Sequence, residues 1–225
     1  MPRQSAQDLA YTYLVEEITS GRLAAGARIK PETIAEALGV SRMPVREALR
    51  QLEAEGFVTI YLNRGAVVTE LAAAEVMEIF EMRSVLEGLA MRLAAAAATE
   101  DDVEELDAMA ASMRRVVSDP VRWLERHEAL HDRMVQLSGR PRLASEIRRL
   151  RLATLPQLRL YARSAGDPET LGHEHDVIID ALRQRDAALA ERLAIAHVLA
   201  NAEAVAGLLD GKGPAARRLV AERSR

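Results

Sequence analysis

The stretch GVSRMPVREALRQLEAEGFV, residues 39–58, decides how the first part of this chain folds. Gly39 ends a short preceding helix, PETIAEALG, which Pro31 begins, because proline suits the first helical position and glycine the residue after the last. Ser41 stands at the N-cap position, where a hydroxyl can accept a backbone N–H. The helix that follows ends at Gly56. The pattern predicts two helices joined by a tight turn.

The flanking segments extend this helix pair into a longer order of elements. SAQDLAYTYLVEEITSG (5–21) has helically spaced apolar residues, and AAGARIKP (24–31) indicates a turn and a short extended piece. FVTIYLNRGAVVTEL (57–71) indicates two short strands around a hairpin turn at 63–65. Helix, helix, turn, helix and hairpin is the order of a winged helix-turn-helix, which reads DNA. We predict such a domain over residues 1–70.

The second helix of the pair carries a basic stripe. Arg42, Arg46 and Arg50 follow one another at intervals of four residues, so they share one face. The planar guanidinium of arginine can grip a guanine edge or a phosphate, and the backbone N–H groups of a helix N-terminus favour phosphate. This face is the predicted reader of the major groove.

Charge alone does not identify a DNA-binding protein here. The whole chain has a formal net charge of −4, and residues 1–70 hold eight Lys and Arg against nine Asp and Glu. Arginines on an amphipathic helix usually form a solvated face. The ordered succession of cap, arginine stripe, glycine stop and hairpin is what favours DNA binding. At the hairpin tip, Arg64 and Gly65 are positioned to enter the minor groove, since glycine permits close backbone approach.

GVSRMPVREALRQLEAEGFV, together with NRGAVV (63–68), closely resembles the winged helix of the GntR family of bacterial transcription regulators. The resemblance covers about residues 8–69 and is most specific over 40–49. It implies the following DNA contacts: Arg42 and Arg46, with help from Ser41 and Asn63-Arg64-Gly65, and with Lys30 and Glu32 near the DNA backbone.

The second part of the chain, residues 71–210, has a helical pattern almost throughout. We find no strand pattern there, so the predicted fold class is mainly α, with an all-α bundle behind the winged helix. The tail 211–225 contains Gly and Pro and is predicted to be flexible. Breaks at Gly and Pro predict about six helices, near 72–98, 100–117, 120–138, 142–164, 168–185 and 187–209.

Composition excludes several kinds of chemistry. Cysteine is absent, which rules out disulfides, iron–sulfur clusters and thiol nucleophiles. A metal site would therefore use His, Asp or Glu. We find no run that approaches the roughly 20 apolar residues of a membrane span, and the N-terminus lacks the apolar core of a signal peptide. We therefore expect a cytoplasmic protein without a membrane partner.

Four histidines lie on the apolar faces of three predicted helices: His127, His131, His175 and His197. A lone histidine on such a face is usually a core residue with satisfied hydrogen bonds. Four of them on three inward faces can converge in the middle of a bundle, where metal sites are commonly built. Neutral imidazole suits Zn, Ni, Cu and Fe, so the spacing predicts a metal site and leaves plain core residues as the alternative.

The segment HEALH, residues 127–131, matches the H-E-x-x-H pattern of zinc hydrolases, with Glu128 as the formal general base. Leu137 stands where the longer form of that motif places a third histidine. A DNA-reading module also precedes the segment. We therefore disfavour a metal-dependent hydrolase using His127, Glu128 and His131, and predict that the chain is not an enzyme.

Three segments resemble the all-helical ligand-binding domain of the FCD branch of GntR regulators: EIFEMRSVLEGLAMRLAA (78–95), HEALHDRMVQLSGRP (127–141) and EHDVIIDALRQRDAALAERLAIAH (174–197). The resemblance implies a divalent metal, most often bound by an Asp-x-x-x-His pair and two later histidines. His131, His175 and His197 occupy the histidine positions. His127 occupies the aspartate position, which is a departure and leaves the role of His127 open.

The same resemblance implies a small-molecule effector beside the metal, often a carboxylic acid. Arg83 matches the arginine that faces the pocket in such domains and could clamp a carboxylate bidentately. Glu87 follows it by one turn, and we predict both residues as effector contacts. Fatty acyl thioesters are the second ligand class, which the histidine set disfavours. We predict a homodimeric, effector-responsive repressor of operator DNA that holds a divalent metal, zinc first, with nickel and other transition metals open. A DNA-binding scaffold without effector is a third class.

Overall fold

The computed structural model describes residues 5–19, 21–61, 65–164 and 175–211. They form two compact units, one ending at Leu71 and the other beginning at Ala72. Within the described part of the chain, strands occur in the first unit alone and helices dominate both. The predicted fold class, mainly α with a winged helix-turn-helix and a helical bundle, is confirmed.

The first unit has three helices and a three-stranded sheet among its described residues. Both strand pairs are antiparallel, in the order β1-β3-β2. The short extended piece of the sequence is β1, which pairs with the second strand of the wing. In chain order the elements are α1 (Ala6–Thr19), β1 (Arg28–Ile29), α2 (Pro31–Leu38), α3 (Arg42–Ala54), β2 (Val58–Tyr61) and β3 (Gly65–Val68).

The amphipathic pattern of α3 fixes which side of it faces out. Its apolar side is buried, and the predicted arginine stripe is exposed on the opposite side. Ser41 does precede the helix as its N-cap residue, but its side chain makes no capping hydrogen bond, so that detail of the sequence reading is wrong. The buried residues of α3 are Val45, Ala48, Leu49 and Leu52.

The second unit contains six helices among its described residues, in agreement with the predicted number. The fifth begins later than predicted: His175 is its N-cap residue rather than part of its interior, and residues 168–174 lie outside the described part. In chain order the helices are α4 (Ala73–Ala97), α5 (Glu100–Arg114), α6 (Pro120–Gln136), α7 (Pro141–Ser164), α8 (Asp176–Arg183) and α9 (Ala187–Leu209).

The close packing of α4 on α9 depends on a glycine. A Cβ added at Gly88 would lie 2.7 Å from Cγ1 of Ile195 and 3.4 Å from the carbonyl oxygen of Glu191. The first distance is a clash, and the second is at the short end of van der Waals contact. The two helices can therefore pack this closely only because residue 88 has no side chain. The α4–α9 pair is the frame on which the other helices of the unit are arranged.

One described helix, α9, bears on the expectation that no segment is apolar enough to cross a membrane. Helix α9 is, by length and composition, apolar enough to cross a membrane, with a mean hydropathy of 1.3 in its most apolar window. The sequence prediction included no such segment. One side of α9, which includes His197, is buried and packs against α4, and length and composition alone do not distinguish such a helix from a membrane span.

Candidate DNA-binding surface and candidate metal centre

A basic groove crosses the first unit. It is lined by Arg46 and Arg50 from α3 and by Arg28 and Lys30 from the segment around β1. Arg42, the first residue of the predicted stripe, is 3.4 Å from a carboxylate oxygen of Glu32 (Nη1 to Oε1). The structure thus places two stripe arginines in the groove and pairs the third with an acidic residue of α2.

Arg28 is a groove residue that the sequence pattern did not predict. It lies on a strand of only two residues, too short for any alternation of apolar and polar residues to reveal. The signal available was its position just before Lys30, in a segment that pairs with the wing. Its side chain reaches the start of β3, where its Nε lies 3.9 Å from a Cβ built on Gly65.

Gly65 has a structural reason for being glycine. Its φ is +80°, and a Cβ there would lie 2.9 Å from the carbonyl oxygen of Ile29. Any other residue would be strained in this conformation and would push β3 away from β1. Asn63 and Arg64, the other predicted wing-tip residues, lie outside the described part of the chain.

Four buried histidines meet inside the second unit. His127 and His131 lie one turn apart on α6, His175 directly precedes α8 at its N-cap position, and His197 lies on α9. One ring nitrogen from each lies within 4.8 Å of the others. The Nε2 atoms of His131 and His175 are only 2.9 Å apart. The structure therefore brings together the four residues that the sequence predicts as metal ligands.

The electrostatics of this cluster suit a metal ion. Burial, followed by the neighbouring imidazoles, lowers the pKa of His131 and His175 well below the ordinary value, and burial also lowers the pKa of His127. These imidazoles are therefore neutral at pH 7 and have a lone pair to donate. Nδ1 of His175 is buried and has no hydrogen-bond partner among the described residues. Four convergent imidazoles are a donor set that fits a divalent transition metal.

Each histidine of α6 has a carboxylate beside it. Oε2 of Glu87 lies 3.4 Å from Nδ1 of His131, and Oε1 of Glu128 lies 3.5 Å from Nδ1 of His127. Burial alone would raise the pKa of both carboxyl groups, but nearby guanidinium groups hold the pKa below its ordinary range. Both are therefore anions able to accept an imidazole N–H, an arrangement that often orients metal-binding histidines.

Arg83, the predicted effector clamp, already has partners in this structure. Its Nη2 lies 2.9 Å from Oε1 of Glu87, and its Nη1 donates to Oγ1 of Thr154 at 3.2 Å. Its guanidinium also lies 4.4 Å above the ring of Phe80. The structure thus joins Arg83 to Glu87 and, through Glu87, to His131.

A second buried cation, Arg151 on α7, was missed by the sequence reading. It is 3% exposed, and its guanidinium contacts the carboxylates of Glu128 at 2.9 Å and Asp132 at 3.0 Å. Glu128 is thus held in an ion pair and not poised as a general base. In a chain so rich in arginine, nothing in the local sequence distinguishes Arg151 from its neighbours.

The cavity beside the histidines is small. It has a volume of about 10 Å³ and lies between Glu87, His131 and His197 on one side and apolar residues on the other. A buried water needs roughly 10–15 Å³, so this cavity does not admit an organic acid as it stands. Binding of an effector there requires side chains to move.

A winged helix-turn-helix joined to a helical unit with a buried histidine cluster defines a class of protein, the DNA-binding regulators with a separate sensing domain. Family models identify the class more closely. Residues 6–68 match the model described as bacterial regulatory proteins, gntR family, and residues 78–200 match the FCD domain. The chain belongs to the GntR family of transcription regulators and carries an FCD domain. It is a regulator and not an enzyme.

Individual relatives agree with this placement. The "Probable D-xylose utilization operon transcriptional repressor" of Paenarthrobacter nicotinovorans is 32% identical over 198 residues, covering 86% of each chain. The HTH-type transcriptional repressor RspR of Escherichia coli K12 is 27% identical and covers 91% of this chain and 90% of its own. Among solved structures, E. coli McbR/YncC has a TM-score of 0.76 at 24% identity, with 87% of this chain and 94% of that chain covered, which supports the fold.

Proposed function

We propose that this chain is a cytoplasmic repressor whose helical unit binds a divalent metal and a small carboxylate effector, and which acts on operator DNA as a homodimer. The domains are residues 1–70 for DNA, 71–210 for metal and effector, and 211–225 as a tail. The observation that carries the proposal is the convergence of four buried histidines. Two relatives, those of Paenarthrobacter nicotinovorans and Escherichia coli K12, are named as repressors, which supports that direction of control.

The DNA contacts follow from the groove. Arg46 and Arg50 face it from α3, with Arg28 and Lys30 opposite, and the exposed N-terminus of α3 presents Ser41 and Arg42 to DNA. The proposal adds a minor-groove contact by Gly65, at the start of β3, and by Arg64, which lies outside the described residues. Two such units bind the half-sites of a palindromic operator, since dimeric readers mirror the symmetry of their sites.

The metal is held by His131, His175 and His197, with His127 as the fourth ligand. Nitrogen donors in a closed, buried set favour zinc, with nickel as the next choice. Glu87 acts on this site through His131, whose Nδ1 it faces at 3.4 Å. When bound, the ion supplies a positive centre to which an anionic ligand can be drawn.

The balance of charged groups around the histidine cluster favours an anionic effector. Arg83 pairs with Glu87, and Arg151 pairs with Glu128 and with the more exposed Asp132, all at 3.0 Å or less. These three carboxylates exceed the two guanidinium groups by one negative charge. Burial keeps His127, His131 and His175 neutral at pH 7. A divalent cation therefore adds two positive charges, of which the extra carboxylate offsets one. A carboxylate ligand neutralises part of that charge in a region of low dielectric.

The route from effector to DNA starts at Arg83. A carboxylate that reaches Arg83 competes with Glu87 and with Thr154, which lie on α4 and α7. Effector binding therefore changes contacts between helices of the second unit. This is allostery only if the effector has different affinities for the free and the DNA-bound dimer.

The test begins with metal content. Protein purified without a histidine tag is analysed for Zn and Ni by mass spectrometry, beside a His131→Ala/His175→Ala variant. We expect about one metal per chain in the first sample and none in the second, with operator binding by fluorescence anisotropy retained in both. Absence of stoichiometric metal from the unaltered protein after incubation with Zn would refute the metal centre and favour plain core histidines.

The effector is tested on the metal-loaded protein. Small carboxylic acids are screened by thermal shift, because a ligand that binds the folded state raises its stability by mass action. We expect hits that disappear in the double histidine variant and that change operator affinity. Acyl thioesters form a second set of probes, and hits confined to them contradict the carboxylate proposal while leaving DNA binding intact.

A further inference from the structure

Helix α4 carries an exposed apolar stripe on the side away from the histidines. Met82 and Val85 are 45% and 66% exposed, and Leu89, one turn further on, is partly exposed. Glu78 and Arg92 lie at the two ends of the same row, since the five residues are separated by three or four positions. We call Glu78, Met82, Val85, Leu89 and Arg92 the α4 stripe. Large apolar side chains exposed in a row between charges are typical of a contact surface.

The order of charges along the α4 stripe is self-complementary. Glu78 precedes Val85 by seven residues, and Arg92 follows it by seven. If two copies of α4 pack antiparallel about a twofold axis at Val85, Glu78 of each copy faces Arg92 of the other. Met82 of each copy then faces Leu89 of the other. A twofold homodimer interface requires this reciprocity, in which residue i meets j and j meets i.

We propose that the α4 stripe is the surface through which a second copy of this chain binds, with the two α4 helices antiparallel. The proposal rests on the homodimer of the proposed function and adds the surface that forms it. The stripe extends for about 21 Å at 1.5 Å per residue. Arg92 is 51% exposed and has a loose intrachain partner, Glu191, at 3.6 Å, so its guanidinium can turn to a partner's carboxylate.

A second copy fits this stripe better than other occupants. A membrane surface is negatively charged and would repel the end of the stripe where Glu78 and another exposed acid, Glu81, lie. An unrelated protein has no need of charges placed symmetrically about Val85. The matching of Glu78 with Arg92 across the axis specifies both the partner and its antiparallel orientation, because the parallel arrangement opposes like charges.

The first experiment measures the dimer dissociation constant of the full chain by sedimentation equilibrium. Val85→Glu places two carboxylates at the axis and should raise that constant by at least about a hundredfold, since opposed like charges at an interface are strongly unfavourable. Val177→Glu on α8 is the matched control, because Val177 is also an exposed apolar residue, at 51%. It should leave the constant unchanged. Circular dichroism checks that both variants are folded.

The second experiment exchanges the charges. Glu78→Arg alone and Arg92→Glu alone should each weaken the dimer about tenfold, and the two substitutions in one chain should restore it, because the swapped pairs are again complementary. The loss of the Arg92–Glu191 contact within the chain cannot explain this restoration. Arg92→Glu places a carboxylate beside Glu191 both in the single variant and in the double variant.

Three outcomes overturn the proposal. If the unaltered chain is a dimer and Val85→Glu is equally dimeric, the dimer stands but another surface forms it. If Val85→Glu and Val177→Glu dissociate to the same extent, the α4 stripe is not specific. If the unaltered chain is a monomer at tens of micromolar concentrations, the homodimer of the proposed function fails as well. Metal content and operator affinity are measured separately, so they still test the rest of the proposed function.

Discussion

Nδ1 of His131 faces Oε2 of Glu87 at 3.4 Å, across the contact between α6 and α4. This pair leaves Nε2 of His131 directed at Nε2 of His175, 2.9 Å away. A carboxylate that accepts the Nδ1–H fixes both the tautomer and the ring orientation of a histidine. Glu87, which the sequence suggested as an effector contact, is therefore placed to prepare His131 for metal binding.

Replacing this carboxylate should weaken metal binding without removing a ligand. We expect Glu87→Gln to lower the affinity for Zn about 10- to 100-fold, the usual effect of losing such a partner, measured by competition with a chromophoric chelator. Glu104→Gln, an exposed change on α5, is the control. Nitrogen-detected NMR of His131 should report a loss of the single tautomer. Unchanged affinity for Zn in Glu87→Gln would mean that Glu87 pairs with Arg83 but does not orient His131.

Stability of the metal-free protein should fall as the solution becomes more acidic. The pKa values of His127, His131 and His175 are lowered by burial below the ordinary value of 6.5. The unfolded chain takes up protons below about pH 6.5 that the folded cluster does not, so each group removes up to about 1.4 kcal/mol of unfolding free energy per pH unit. The stability is fully present above that pH and is lost below it.

Urea denaturation with a chelator present, at pH 7.5, 6.5 and 5.5, checks this expectation. His131→Gln/His175→Gln should have a smaller dependence on pH than the unaltered chain over that interval, whatever its stability at pH 7.5. An equal dependence in the two proteins would contradict the assignment of lowered pKa values to the cluster.

The winged helix was predictable because its signals are local. Pro31 and Gly39 bound one helix, and Gly56 follows the next, since each residue suits the backbone conformation at its position. Helical periodicity likewise placed His127 and His131 on the buried side of α6, which needs no knowledge of the neighbouring helices.

The contacts of the site were not predictable in the same way. The partners Arg151 and Glu128, and the partners Glu87 and His131, lie on different helices. Their meeting depends on how helices cross, which amphipathic periodicity does not encode. For this reason the sequence identified the ligand set but assigned Glu87 to the effector and missed Arg151.

Arg28 and Arg46 offer a test of which groove residues read DNA sequence. Arg46→Ala should cost about 1–3 kcal/mol on the operator if the residue contacts a base, and should reduce discrimination against mutated operators. Arg28→Ala should weaken binding to operator and to random DNA alike, with a shallower dependence on salt, if it contacts phosphate. Anisotropy titrations at three salt concentrations separate the two. Normal operator binding by Arg46→Ala at moderate salt would refute the assignment of α3 as the reading helix.

Gly88 should be intolerant of even one added carbon. In Gly88→Ala the new Cβ would lie 2.7 Å from Cγ1 and 3.0 Å from Cδ1 of Ile195, and we expect a loss of about 1–3 kcal/mol of unfolding free energy from overpacking. Because alanine is the better helix former, this loss should vanish when the obstructing atoms are removed. Gly88→Ala should therefore be neutral or stabilising in an Ile195→Ala background, as measured by urea denaturation of the four proteins in the cycle. Equal losses in both backgrounds would show that the contact with Ile195 is not what requires glycine at this crossing.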